Sequence, residues 1–146
     1  MKNTNAIRLI FGEADGLPGL VVDQYDQLLV CQFLSAGADH WKDVIVEVLA
    51  QQTGCESIFE RSDAAVRQRE GLESKVGLLF GKQPEAEILV HENGIAYLVD
   101  PIHGHKTGFY IDQRDNRHIV QELSDNRRVL NMFCYTGGFS LSALKG

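Results

Sequence analysis

The chain has 146 residues, 44% of them apolar and 23% charged, and a net charge of −6. This is one domain's worth of an ordinary globular protein with a packed core. It has no apolar run near the roughly 18 residues of a membrane span and no secretory apolar stretch behind Met1, so a cytoplasmic protein is expected.

The negative charge argues against a nucleic-acid groove over the whole surface, but it is uneven. Up to Gly104 acids outnumber bases two to one, and beyond it Lys106, Arg114, Arg117, Arg127, Arg128 and Lys145 outnumber the acids. The upstream excess reads as a solvated face. Cys31, Cys55 and Cys134 are odd in number and form no CxxC pair, and no histidine cluster has zinc spacing, so neither a disulfide framework nor a metal site is expected. Cys31 and Cys55 read as small buried hydrophobes.

Residues 6–11 are β-prone and run into Gly-Glu-Ala-Asp-Gly-Leu-Pro-Gly, where the turn residues predict a defined loop rather than a helix. Residues 20–23 and 27–34 read as a hairpin turning at Gln24-Tyr25-Asp26. The second strand alternates imperfectly, which implies burial on both faces. Ser35-Ala36-Gly37-Ala38 reads as a break, with Asp39 as the N-cap of a helix whose inward stripe is Trp41, Val44, Ile45, Val48 and Leu49, ending at Thr53-Gly54. Trp41 is expected in the core. A short strand over 56–61 follows, then a short helix capped by Ser62 or Asp63 that stops by Gly71. Strands are expected at 76–80, 87–91 and 95–99, the last two joined by an Asn-Gly hairpin. The fold class is therefore α+β, with a mixed sheet over residues 1–100.

Past Pro101 a second unit opens. Asp112 and Asp115 have the spacing of a capping box, ahead of a helix that turns Ile119, Val120 and Leu123 inward. A strand over 129–133 then meets Thr136-Gly137-Gly138 and a helix. A strand, a small-residue turn and a helix form the edge at which α/β domains bind nucleotides or cofactors. On its own the signal is weak, lacking G-x-G-x-x-G spacing and a P-loop ending. Arg114 and Arg117, three apart, share a face near the helix start, where the macrodipole disfavours cations. They read equally as a receptor, with Gln113, for a carboxylate or phosphate, or as solvated arginines balanced by Asp112 and Asp115. Cys134 has no identifiable base to activate it, and His103 and His105 have no partners for a metal.

Four stretches carry a resemblance: Gly12-Glu13-Ala14-Asp15-Gly16-Leu17-Pro18-Gly19-Leu20-Val21-Val22-Asp23; Phe59-Glu60-Arg61-Ser62-Asp63; Lys106-Thr107-Gly108-Phe109-Tyr110-Ile111-Asp112-Gln113-Arg114-Asp115-Asn116-Arg117; and Val129-Leu130-Asn131-Met132-Phe133-Cys134-Tyr135-Thr136-Gly137-Gly138-Phe139-Ser140. Together they resemble the S-adenosylmethionine-dependent RNA methyltransferases typified by the large-subunit ribosomal RNA cytosine-C5 enzyme, although His105 stands where Gln is expected. The resemblance implies a central mixed α/β domain over residues 1–100 and, over 101–146, the start of a Rossmann-like methyltransferase domain. It implies that Phe133, Tyr135, Thr136 and Gly137 line the methionine and adenosine moieties, that Gln113 and Arg114 help close the site, and that Thr107, Asp112 and Gly138 belong to it.

The resemblance further implies ribosomal RNA as partner of the parent protein and S-adenosylmethionine as cofactor, with only a partial site here. The ribose-binding acid, the motif at the target base and the catalytic cysteine are expected beyond Gly146, so no residue of this chain is assigned a catalytic role. The chain is expected to be an inactive fragment, and its exposed strand offers an edge for a homodimer. A non-catalytic RNA-binding or assembly module, an enzyme for another base and a dinucleotide-binding oxidoreductase are the alternatives.

Overall fold

The computed structural model describes residues 3–146. Its centre is a five-stranded sheet in sequence order: β1 (Ala6–Phe11), β2 (Leu20–Tyr25), β3 (Leu28–Phe33), β4 (Ser57–Ser62) and β5 (Lys75–Gly81). All neighbours are antiparallel except β3 and β4, which run parallel. A parallel pair needs a crossover, supplied here by α1 (Ala36–His40) and α2 (Lys42–Thr53). The short α3 (Val66–Arg69) lies between β4 and β5, and β6 (Ile88–Glu92) with β7 (Ile95–Val99) forms a separate hairpin. Helices α4 (Arg114–Leu123) and α5 (Gly138–Lys145) complete the chain and pack on each other.

The large sheet is a middle layer. Tyr25, Leu28, Val30 and Phe59 pack with Val90, Tyr97, Val99, Phe109 and Ile111 on one face. Leu20, Val22, Leu29, Cys31 and Ile58 pack with Ala38, Val46 and Leu49 on the other. This explains the broken alternation of β3, where Leu28, Leu29, Val30 and Cys31 are all buried. Cys55 is buried with them, as expected of both upstream cysteines.

Several local expectations are corrected. The loop after β1 begins as a 3-10 turn over Gly12–Asp15, closed by Gly16 in the left-handed region. The β2–β3 turn is tighter than expected, because Gln24 and Tyr25 stay in the strand opposite Leu29 and Leu28 and only Asp26 and Gln27 connect. Ser35 caps α1 by accepting from the Ala38 N–H at 3.2 Å, so the expected break is a helix and Asp39 is no cap. Ser62 is a strand residue accepting from the Phe33 N–H at 2.9 Å, and no side chain caps α3.

The inward stripe of α2 is also rotated from the one expected. Lys42, Val46 and Leu49 are buried, whereas Trp41, Val44 and Val48 are exposed. The cause is electrostatic. Lys42 Nζ reaches Glu60 Oε1 of β4 at 2.7 Å and Asp39 Oδ1 at 2.9 Å, and a buried pair of charges left apart costs several kcal/mol, on the order of 3–5. The helix face follows that ion pair, and Trp41 is left outside the core.

Candidate functional site: a cleft between the 104–113 segment and the 133–139 turn

The β6–β7 hairpin turns at Asn93 and Gly94, both with positive φ, as the Asn-Gly signal requires. Beyond β7 the chain bends at Asp100, whose Oδ1 accepts from the Ile102 and His103 N–H groups at 2.9 and 2.7 Å. Burial works against its charge, and those two backbone donors, together with the His103 side chain, more than offset it and hold the carboxyl below the usual range. Arg61 reaches across from β4 to donate to the Pro101 and Gly104 carbonyls, each at 2.9 Å. This buried arginine fixes the loop. Its presence in the second motif was the only sequence signal for that role.

Beneath the loop, Thr107 is fully buried. Its hydroxyl donates to Asp23 Oδ2 at 2.5 Å and lies 3.0 Å from the Tyr25 hydroxyl, which accepts from the Phe109 N–H at 3.2 Å. Asp23 also holds Arg8 through two bonds of 2.7 and 2.9 Å. Thr107 therefore anchors the loop to the sheet and does not face the cleft.

A 3-10 turn over Ile111–Gln113 leads into α4 without any side-chain cap. Asp112 accepts from Gln113 Nε2 at 3.1 Å instead of closing a capping box. The expected inward residues Ile119 and Leu123 are exposed, because the buried side of α4 belongs to Arg117. At about 100° per residue, Ile119 lies about 200° round from Arg117.

The arginine pair is neither a free anion receptor nor solvated. Arg117 donates from Nε and Nη2 to the two oxygens of Glu92 at 2.7 and 2.8 Å and from Nη1 to the Tyr110 carbonyl at 2.9 Å. Its guanidinium lies 4.5 Å from the Phe109 ring centroid. Arg114 shares Glu92 at 3.2 Å and donates to the Ala6 carbonyl at 2.6 Å. The partner is thus a residue of the hairpin, far off in sequence, and neither Asp112 nor Asp115.

Residues 129–133 do not form the expected strand. A strand needs a neighbour for its backbone groups, and no described residue pairs with this segment. Leu130 and Phe133 stand almost fully exposed, and the edge expected to meet a second copy is an irregular segment. The turn and helix after it do form. Phe133 and Tyr135 have φ of 64° and 50°, and Gly137 has φ of 74° as N-cap of α5. Asn131 Nδ2 donates to Ser140 Oγ at 2.8 Å, tying the segment to that helix.

Tyr135 joins the two walls. Its hydroxyl accepts from the His105 N–H at 2.8 Å and donates to the Gly108 carbonyl at 3.0 Å, while its ring packs 5.1 Å from His105 and 5.7 Å from Tyr110. Gly138 packs closely on the arginine, since a Cβ there would meet Arg117 Cδ at 3.2 Å and the side chain would have to give by a few tenths of an ångström. Between the walls lies a cleft of ≈ 520 Å³ to which Asp112, Gln113, Phe133, Tyr135, Thr136 and Gly138 all contribute, within the usual range of about 300–1,000 Å³ for small-molecule sites. Among the expected site residues, Thr107, Arg114 and Gly137 do not line it. Tyr110, Phe109 and Phe139 do, and no motif logic singled them out. Cys134 lines it too and is exposed. No group of three or more potential metal ligands occurs among the described residues.

Residues 20–146 match the sequence profile of the S-adenosylmethionine-dependent methyltransferases. The chain belongs to that family. It is 53% identical over 139 residues to a ribosomal RNA large subunit methyltransferase I of Photobacterium profundum, covering 95% of this chain and 35% of the relative. A protein of the same name from Shewanella amazonensis is 50% identical over 144 residues, covering 99% of this chain and 36% of the relative. Among solved structures, a protein of Streptococcus mutans assigned to the S-adenosylmethionine-dependent methyltransferases superposes with a TM-score of 0.84 at 28% identity, over 100% of this chain and 37% of that one. A second, assigned as a methyltransferase and crystallised with S-adenosylhomocysteine, has a TM-score of 0.84 at 26% identity, over the same shares of the two chains. The chain thus spans little more than a third of the length of these relatives.

Proposed function

We propose that the chain is part of an S-adenosylmethionine-dependent methyltransferase acting on large-subunit ribosomal RNA in the cytoplasm, at cytosine C5. The observation that carries this reading is about 50% identity to ribosomal RNA methyltransferases along nearly the whole chain. In this reading residues 1–100 are a central domain, 101–146 open the cofactor domain, and the cleft is one wall of the methyl-donor pocket.

The lining fits the cofactor by its chemistry. Tyr110, Phe133, Tyr135 and Phe139 offer flat apolar faces to an adenine ring. The Asp112 carboxylate complements an ammonium group, and Gln113 offers an amide donor and acceptor. The first N–H groups of α5, beyond Gly137 and Gly138, suit a carboxylate. Arg117, Arg114 and Thr107 act indirectly by holding the walls. S-adenosylmethionine, when bound, supplies a methyl group on a sulfonium that a nucleophilic carbon can take. The residues here orient that donor, and no acid, base or nucleophile of the chain is assigned to the RNA base. Self-association through the exposed 129–133 segment belongs to the same proposal, and sedimentation of the chain reads it.

The deciding experiment compares ribosomal RNA from cells with and without the gene by mass spectrometry of nucleosides. Loss of one 5-methylcytidine, restored by the intact protein, supports the reading. An unchanged RNA, or loss of a different methylated base, overturns all of it or its cytosine part.

A further inference from the structure

Lys106 borders two clefts. One is the cofactor cleft, and the other is a groove of ≈ 400 Å³ whose walls include Arg8 and Phe11 of β1, Gln32 of β3, and Arg61 with Asp63. The proposed cofactor chemistry makes no use of this groove. Its wall holds three cations, Arg8, Arg61 and Lys106, against two carboxylates, Asp63 in the wall and Asp23 behind Arg8, so the groove keeps a net positive charge in a chain whose net charge is −6.

Single exposed phenylalanines are ordinary. Phe11, however, is 56% exposed inside this cationic groove, with the Arg8 guanidinium 5.0 Å from its ring centroid. Arg8 is fixed there by its two bonds to the buried Asp23, and Asp23 also holds Thr107 beside Lys106. Arg61 is fixed by the Pro101 and Gly104 carbonyls and by Asp63 at 3.2 Å. Lys106 sits at a φ of 55° with Nζ 4.7 Å over the Tyr110 ring. The groove is thus built on strands and on a loop pinned at both ends, and is ordered before any ligand arrives.

An aromatic face among fixed cations is how proteins hold unpaired nucleotides, the base stacking on the ring and the phosphates meeting the cations. A duplex offers no free base face to Phe11. An acidic peptide would use the cations and leave the ring idle.

We propose that this groove binds one unpaired nucleotide of the RNA substrate, its base stacked on Phe11 and its flanking phosphates on Arg8 and Lys106. It rests on the reading above only for RNA as the partner. Because Lys106 also borders the cofactor cleft, the strand held here is led toward the methyl donor.

The test is a nuclear magnetic resonance titration of the isotope-labelled chain with a single-stranded oligouridine hexamer at low salt. Amide shifts are expected at Arg8, Phe11, Gln32 and Lys106. Phe11→Ala, at an exposed position, keeps the fold and weakens binding about 5- to 150-fold, the equivalent of ~1–3 kcal/mol of stacking. Lys106→Ala lowers the salt slope by about 0.7, the loss of one phosphate contact on a single strand. Absence of binding, shifts that bypass these residues, or a Phe11→Ala chain that binds like the unaltered one overturns the proposal, as does equal binding of polyglutamate or duplex RNA. If the groove fails while the intact protein still methylates ribosomal RNA, the methyltransferase reading stands alone. If the groove binds as described while the intact protein methylates no RNA, that reading fails and the groove stands.

Discussion

Glu92, at the end of β6, is gripped on both oxygens by Arg117 of α4, at 2.7 and 2.8 Å, with only 2% and 3% of the two side chains exposed. This pair locks the helix bearing one cleft wall to the hairpin. Removing one partner of a buried pair leaves the other charge without compensation, at about 3–5 kcal/mol. Glu92→Ala removes the carboxylate from Arg117 and also takes from Arg114 the one it shares. Denaturant unfolding of Glu92→Ala is expected to show a loss in that range. A loss within the ±0.5 kcal/mol or so typical of surface changes would count against the pair as the lock.

Tyr135→Phe keeps the ring against His105 and Tyr110 and deletes the hydroxyl that bonds the His105 N–H and the Gly108 carbonyl. Because the site is partly open to water, the expected stability loss is only about 0.5–1.5 kcal/mol. The sharper readout is local. Hydrogen exchange at the His105 amide should accelerate while amides in β2 and β3 keep their protection.

Asp39 contributes to the acid limb of stability. Burial pushes its carboxyl upward, but hydrogen bonds from Lys42 and Arg67 outweigh that and hold it at about 2. A carboxyl with a lower pKa folded than unfolded stabilises the protein above the unfolded value, and that contribution disappears as pH falls through the folded one. Thermal midpoints are therefore expected to drop between about pH 4 and pH 2. Asp39→Asn should be less stable at neutral pH and lose less over that interval, which calorimetry across the pH series checks.

The three thiols should separate by reactivity. Cys31 is fully buried and burial pushes its thiol well above the ordinary range, Cys55 is also buried, and Cys134 is exposed in the cleft. A colorimetric thiol reagent is expected to modify one cysteine rapidly in the native chain and the other two only after unfolding. Peptide mapping should place the fast label on Cys134, and a fast label on Cys31 would contradict the packing of β3.

Local physics made much of this fold legible in advance. Strand-forming runs, the Asn93-Gly94 turn and the Gly54 and Gly137 helix ends depend on neighbours a few residues away, and the structure keeps them. The turn and helix at 133–139 and the Asp112-Gln113 segment, both picked out in the sequence, contribute residues to one cleft. The motif's strand did not form, since pairing needs a partner that residues 129–133 lack among the described residues.

Rotation of helices and ownership of charges were decided only by tertiary structure. The apolar pattern of α2 and α4 placed Trp41, Val44, Ile119 and Leu123 inside, yet Lys42 and Arg117 hold those faces because Glu60 and Glu92 wait on distant strands. Burying an ion pair intact, with its hydrogen bonds made, overrides the preference of a few apolar side chains on a helix surface. The sequence by itself determined most of the strands, the tight turns and which family the motifs resemble. The contact between Glu92 and Arg117 fixes α4 to the hairpin, and that between Tyr135 and the 104–108 loop brings the cleft walls together. They span 25 and about 30 residues, a separation that no local pattern encodes.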